Sequence, residues 1–142
     1  MTENTARLDH VVLWVRDPLA AARFYEKALA MEPLRTTEFA AGTVSFPSVR
    51  LNEETIFDLA PLALAECMTM LPDAAGSAGH PVNHVCLALP EHDFDALRSR
   101  LEEQAVPVSG LSHDNFGARG MARRSFYFTD PDGNILEARH YA

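Results

Sequence analysis

Apolar and polar positions fall into one pattern that the chain runs through twice. From residue 8 it reads Leu-Asp-His-Val-Val-Leu-Trp-Val, then Arg-Asp-Pro, then an amphipathic stretch to residue 30. From residue 82 it reads Val-Asn-His-Val-Cys-Leu-Ala-Leu, then Pro-Glu-His-Asp, then a second amphipathic stretch to residue 105. The offset of 74 residues sets His10 on His84. The ends of the halves match as well. Glu54-Thr-Ile-Phe-Asp-Leu59 aligns with Gly133-Asn-Ile-Leu-Glu-Ala138 at an offset of 79, which sets Asp58 on Glu137. The difference between the two offsets is a loop insertion within a repeated unit.

Each half predicts a strand, a helix and three further strands. The first strand is a dense Val- and Leu-rich run. Asp17-Pro18 marks a helix start, with Asp capping free amides and Pro at the first helical position. Leu19, Ala22, Tyr25 and Leu29 are expected to share a face of the first helix, and Phe94, Leu97 and Leu101 a face of the second. The later strands are placed near 34–40, 43–50 and 54–60, and near 108–116, 123–129 and 134–141. Asp130-Pro-Asp-Gly133 predicts the turn of a hairpin. The resulting organisation is α+β: a first βαβββ module over 7–62, a linker over 63–80 and a second βαβββ module over 81–142. Within the linker region, Leu62 to Leu71 is apolar enough for a short helix, and Pro72 to Gly79 is rich in small residues.

Side-chain alternation then sorts the strands by face. His10, Val12 and Trp14 look one way, and Val11, Leu13 and Val15 the other. His84, Cys86 and Ala88 share a face, as do Ile135, Glu137, Arg139 and Tyr141. If helices cover one side of each sheet, the histidines lie on the other side. There His10, His84, Glu137 and Asp58 would meet in one cleft between cupped sheets. A single histidine in an apolar strand is ordinarily a hydrogen-bonded core residue. Two at matched positions, each half also carrying a mid-strand carboxylate, point instead to a shared ligand. A buried charge is costly unless it is paired or bound to metal. Two imidazoles and a carboxylate form a facial set for a divalent ion, with positions left for substrate. His80, His92, His113 and His140 read as solvated. Cys67 and Cys86 read as reduced, buried packing residues.

Composition narrows the function classes. The 142 residues, 47% of them apolar, suffice for one ordinary domain with a real core. Twelve basic against twenty acidic residues leave a net charge of −8, which argues against nucleic acid and against an anionic membrane surface. With no signal pattern at the N-terminus and no membrane-spanning run, the expected location is the cytoplasm.

At these residues the sequence resembles the vicinal oxygen chelate superfamily of glyoxalase, bleomycin-resistance and extradiol dioxygenase proteins. The carriers are Leu8-Asp-His-Val-Val-Leu-Trp-Val15 with Phe24-Tyr25-Glu26, Asn83-His84-Val85, and Phe126-Tyr-Phe-Thr-Asp-Pro-Asp-Gly-Asn-Ile-Leu-Glu137. The resemblance implies paired βαβββ modules and a divalent metal (zinc, nickel, manganese or iron) held by His10, His84 and Glu137. Asp58 stands at the fourth position, where glyoxalase I-like members carry Glu and epimerase-like members Gln. It is expected to act as a fourth ligand or a base. The implied chemistry is chelation of adjacent substrate oxygens in a lyase or isomerase reaction on a small metabolite. On this reading Glu137 is expected to serve as base, Tyr127 to hydrogen-bond substrate oxygen, Arg139 to hold a substrate anion and Trp14 to line the cavity. A homodimer is expected by analogy. Two alternatives stand beside it. One is a metal-free drug-binding protein of the bleomycin-resistance kind. The other is an extradiol-type dioxygenase, against which Ala118, Arg119 and Gly120 occupy the window where that signature places a histidine.

Overall fold

The computed structural model describes residues 8–65 and 84–142. The chain divides into two compact units, Met1–Gly79 and His80–Ala142.

The first unit runs β1 (His10–Val15), α1 (Pro18–Leu29), β2 (Glu32–Leu34), α2 (Thr36–Ala40), β3 (Ser48–Arg50) and β4 (Ile56–Pro61), followed by a 3-10 turn at Leu62–Leu64. Its sheet order is β1-β4-β3-β2, with β1 and β4 parallel and the other pairs antiparallel. Asp17 caps α1 as its sequence predicts, accepting from the Leu19 and Ala20 amides at 3.1 Å each. The buried face of α1 carries Pro18, Ala21, Ala22, Tyr25 and Ala28, so the expected Leu19 and Leu29 stand at its margins. That face covers Leu13, Val15, Phe57 and Leu59, and the Tyr25 and Phe57 rings meet edge-on at 5.7 Å.

The second unit runs β5 (Val85–Ala88), α3 (Glu91–Glu103), β6 (Phe116–Gly117), β7 (Gly120–Met121), β8 (Arg124–Thr129) and β9 (Ile135–His140). Its main sheet is β5-β9-β8, again with the first and last strands parallel. Phe94, Leu97 and Leu101 of α3 are buried with Phe126, Phe128, Leu136 and Ala138. Phe94 meets Phe126 edge-on at 5.1 Å. The β8–β9 hairpin turns at Asp130-Pro-Asp-Gly133. The Asp130 carboxylate accepts from the Asp132 and Asn134 amides, and Gly133 takes φ +83°.

The repeat extends to strand register. Val12 pairs with Asp58 on β1 and β4, and Cys86 with Glu137 on β5 and β9. Ser48 pairs with Asp58 on β3 and β4, and Tyr127 with Glu137 on β8 and β9. These are the residues that the offsets of 74 and 79 equate.

Three expectations are corrected. The strand near 34–40 is a three-residue strand and then helix α2, because Arg35 turns the chain with φ +60° and its carbonyl accepts from the Phe39 amide. The strand near 43–50 shortens to Ser48–Arg50 behind Pro47, which lacks a ladder donor. The strand near 108–116 is reduced to isolated bridges, Val108 to Phe128 and Ser112 to Ser125, and the start of the short β6 at Phe116, with Pro107 and Gly110 interrupting it. Of the proposed Leu62–Leu71 helix, the described part holds the 3-10 turn, and most of the linker lies outside the described residues.

Both long helices end beside an alanine in the left-handed region, Ala30 at φ 55° and Ala105 at φ 56°. A left-handed alanine costs roughly 1–2 kcal/mol, which outweighs the unfolded-state entropy that glycine adds. Ala30→Gly is therefore expected to stabilise the protein by about 0.5 kcal/mol in urea unfolding. Asp17→Ala, at the other end of the same helix, is expected to destabilise it by about 1 kcal/mol.

Candidate metal and substrate site

Strand parity decides which side chains escape the helix-covered faces. In the first unit His10 and Asp58 do so together, on adjacent parallel strands. His10 Nδ1 lies 2.7 Å from Asp9 Oδ2 and its Nε2 lies 3.9 Å from Asp58 Oδ2. The Asp9 contact assigns the proton to Nδ1 when the ring is neutral and leaves the Nε2 lone pair facing Asp58. It also favours the protonated ring. The Asp9 hydrogen bond raises the His10 pKa, desolvation opposes it, and the charges of Asp58 and Asp9 add to the rise. The other oxygen of Asp58 accepts the Ser48 hydroxyl at 2.6 Å, with both residues buried.

The second unit repeats this arrangement with a longer acid. His84 Nε2 lies 3.2 Å from Glu137 Oε1. Glu137 is 2% exposed, and its other oxygen accepts from Arg139 Nη2 at 2.7 Å and Nε at 3.2 Å. In each unit one carboxylate oxygen is fixed by the chain and the other faces an imidazole nitrogen.

Arg139 is itself 6% exposed, and its Nη1 donates to the Asn115 carbonyl at 3.4 Å and the Tyr141 hydroxyl oxygen at 3.3 Å. Burial works against its charge, but the hydrogen bonds with Tyr141 and Glu137 outweigh it, and its pKa lies above the usual arginine value. The sequence assigns Arg139 to a substrate anion; the structure places most of its donors on Glu137, Asn115 and Tyr141.

A cavity of about 320 Å³ opens in the second unit, lined by His84, Cys86, Glu137, Arg139, Tyr141 and Arg119 among others. Cys86 is solvent-exposed rather than buried, which corrects its packing role. Desolvation, then the Glu137 charge, pushes its thiol pKa up, so it is a protonated thiol at neutral pH. Tyr127 stands edge-on to His84 at 5.4 Å and opposite Glu137 on the ladder. Desolvation and then the Glu137 charge raise its hydroxyl pKa, so it is a hydrogen-bond donor rather than a phenolate. Tyr141 moves the other way. Its pKa is lowered by the Arg139 hydrogen bond and then by the Arg119 backbone amide. In the first unit Trp14 is half-buried on the same face of β1 as His10.

The remaining histidines divide. His92 and His113 are exposed, His92 on the first turn of α3 rather than in a loop. His80 and Cys67 lie outside the described residues. His140 is 1% exposed, contrary to its solvated assignment. The parity opposite to Glu137 sends it under α3, where it meets Phe94 edge-on at 4.9 Å and its Nε2 accepts from Arg124 Nε at 2.9 Å.

The donor chemistry fits a divalent ion. Ligand bonds of about 2.0–2.2 Å set neighbouring donors roughly 3–3.5 Å apart; the His84–Glu137 pair at 3.2 Å lies within that range, and the His10–Asp58 pair at 3.9 Å lies outside it. The outward-facing Nε2 of His10, backed by Asp9 on Nδ1, is a common arrangement of metal-binding histidines. Among the described residues the donors come as pairs, and no three His, Cys, Asp or Glu side chains form a metal-holding group. Ser48, Asp9, Asn115 and Tyr141 are site residues to which the sequence reading assigned no role. Ser48 was within reach, since the offset of 79 that equates Asp58 with Glu137 also equates Ser48 with Tyr127.

Comparison with known proteins accords with this architecture. The model of the Glyoxalase/Bleomycin resistance protein/Dioxygenase superfamily matches residues 7–138. A solved protein from the mobile metagenome of V. Pseudocholerae is 25% identical, with a TM-score of 0.74 over 100% of this chain and 99% of that one. A glyoxalase/dioxygenase from Nostoc punctiforme is 23% identical, with a TM-score of 0.67 over 98% and 93% of the two chains. The lactoylglutathione lyase of Agrobacterium tumefaciens is 17% identical, with a TM-score of 0.68 over 98% and 96%, a likeness of fold. Two repeated units with matched register, each setting a histidine against a buried carboxylate, together with a family match over nearly the whole chain, make this protein a member of the Glyoxalase/Bleomycin resistance protein/Dioxygenase superfamily.

Proposed function

We propose that the protein is a divalent-metal-dependent enzyme of lyase or isomerase type acting on a small oxygenated metabolite. His10, His84 and Glu137 are the proposed ligands of zinc, nickel, manganese or iron, and Asp58 is a fourth ligand or a base. The observation that carries this reading is the matched pair in each unit. A histidine Nε2 faces one oxygen of a buried carboxylate, and the chain holds that carboxylate's other oxygen.

An ion held by His10, His84 and Glu137 would supply Lewis acidity to adjacent substrate oxygens. The chain supplies the proton chemistry and the positioning. Glu137 takes a proton from a substrate carbon and returns it to the neighbouring one, its carboxylate aimed by Arg139. Arg139 is therefore proposed as a positioning residue rather than an anion site. Tyr127 donates a hydrogen bond to a substrate oxygen, and Trp14 supplies an apolar wall. The working form is a proposed homodimer, which light scattering checks. A monomer at working concentration contradicts it.

A metal-free drug-binding protein is the second reading. It is favoured by the Arg139–Glu137 pair, which neutralises the buried acid without any ion, and by the absence of a three-donor group among the described residues. Elemental analysis of untagged, chelator-free protein separates the two readings. Near-stoichiometric metal, lost in His84→Ala, is the expected result. Wild-type protein without metal, and without a thermal shift when each ion is added, moves the assignment to drug binding.

Arg139→Met provides a second test. Removing one partner of a buried ion pair costs about 3–5 kcal/mol, because the remaining charge is left uncompensated. A divalent ion at Glu137 would replace that compensation. The variant's melting temperature is expected to fall in the metal-free protein and to recover with added ion by more than the wild type gains. Equal ion responses in both proteins would show that Glu137 is not a ligand.

A further inference from the structure

Four arginines follow residue 118 in the second unit, and the structure separates them by role. Arg124 stacks over Phe94 at 4.8 Å and pairs with Asp95 at 3.0 Å and Glu91 at 3.6 Å. Arg139 is spent on Glu137, Asn115 and Tyr141. Arg123 is exposed and does not line the cavity beside His84. Arg119 does line it. Its guanidinium lies over the Tyr141 ring at 4.6 Å and carries no ion pair among the described residues.

Tyr141 adds an independent constraint. A phenol oxygen has two lone pairs and one proton. Both acceptor positions are taken, by the Arg119 backbone amide at 3.3 Å and by Arg139 Nη1 at 3.3 Å. No acceptor for its proton stands among the described residues, so the hydroxyl can serve the cavity only as a donor. A cation hydrogen-bonded to that oxygen polarises the O–H bond and strengthens the donor. An exposed stacked arginine alone is ordinarily a solvated side chain. Here it shares one cavity with a hydroxyl that has only its proton to offer.

We propose that Arg119 and Tyr141 form a carboxylate-recognition pair, and that the ligand is a small carboxylic acid with a second oxygen function directed toward His84 and Glu137. A carboxylate accepts from both the phenol and the guanidinium, whereas a neutral carbonyl offers one weaker acceptor. The distance scale suits a small molecule, because the Arg139 guanidinium alone spans from Glu137 to Tyr141. The protein's overall charge of −8 repels anions, so selecting one requires a local cation of this kind. The inference rests on reading this cavity as the substrate site, but not on metal occupancy.

The test is ligand-observed NMR titration of the full chain with acetate, pyruvate and L-lactate, each against its neutral amide, with and without added Mn²⁺. At least one carboxylate is expected to bind the wild type about tenfold more tightly than its amide, the scale of one charge-assisted hydrogen bond. Arg119→Gln should abolish that preference while leaving Mn²⁺ binding, read by water-proton relaxation, unchanged, and Tyr141→Phe should reduce the preference. His84→Ala should lose Mn²⁺ binding and keep the preference. The proposal is overturned if no wild-type pair shows a preference, or if the preference survives in both Arg119→Gln and Tyr141→Phe. A wild type that prefers carboxylates but binds none of Mn²⁺, Zn²⁺, Ni²⁺ or Fe²⁺ would sink the metal-enzyme reading and leave this one standing.

Discussion

The parallel pairing of the first and last strand in each unit is the constraint on which the site depends. It sets Asp58 opposite Val12 and Glu137 opposite Cys86, on the side of each sheet that the helix does not cover. Shifting either strand by one residue would send the acid under its helix and bring an apolar neighbour out. The apolar partners hold the register. Leu13, Val15, Phe57 and Leu59 in one unit, and Leu136 and Ala138 in the other, are buried only in this alignment. The packing that stabilises each unit is thus also what presents its carboxylate.

A buried acid then has to be satisfied, and the two units do it differently. Asp58 accepts a neutral hydroxyl from Ser48. Glu137 has a guanidinium and is neutralised as a pair. The asymmetry follows from the strands. On β9 the next residue with the parity of Glu137 is Arg139, whereas on β4 the residue following Asp58 with the same parity is Ala60. At Glu137, charge already neutralised by arginine contributes less to holding a cation than a free carboxylate would.

Strand parity made much of this readable in advance. The matched histidines, the two acids, the Asp17 cap, the buried stripe of α3 and the Asp130–Gly133 hairpin all follow from local patterns that tertiary packing reinforces. What was not readable has physical causes. The segment 34–40 contains apolar and polar residues compatible with a strand, but a left-handed Arg35 redirects it into α2. The segment 108–116 lies along the outer edge of β8, where two bridges suffice to hold it. His140 shares its parity with Leu136 and Ala138, and so follows the core rather than the solvent. The satisfying partners were least visible, because Ser48, Asn115 and Tyr141 acquire roles only through contacts between strands and loops distant in sequence.

Arg139 links these levels. Its position on β9 is set by alternation, its burial by the sheet and its charge by Glu137 and Tyr141 together. Because one guanidinium contacts both the buried acid and the phenol, a change at either end alters the electrostatics of the other. Loss of Glu137's charge would leave the phenol as the cation's main side-chain partner. Loss of the phenol would leave the cation more fully committed to the acid. The cavity's acidic end and its donor end are therefore one coupled network, whose balance is decided where a single buried cation divides its hydrogen bonds.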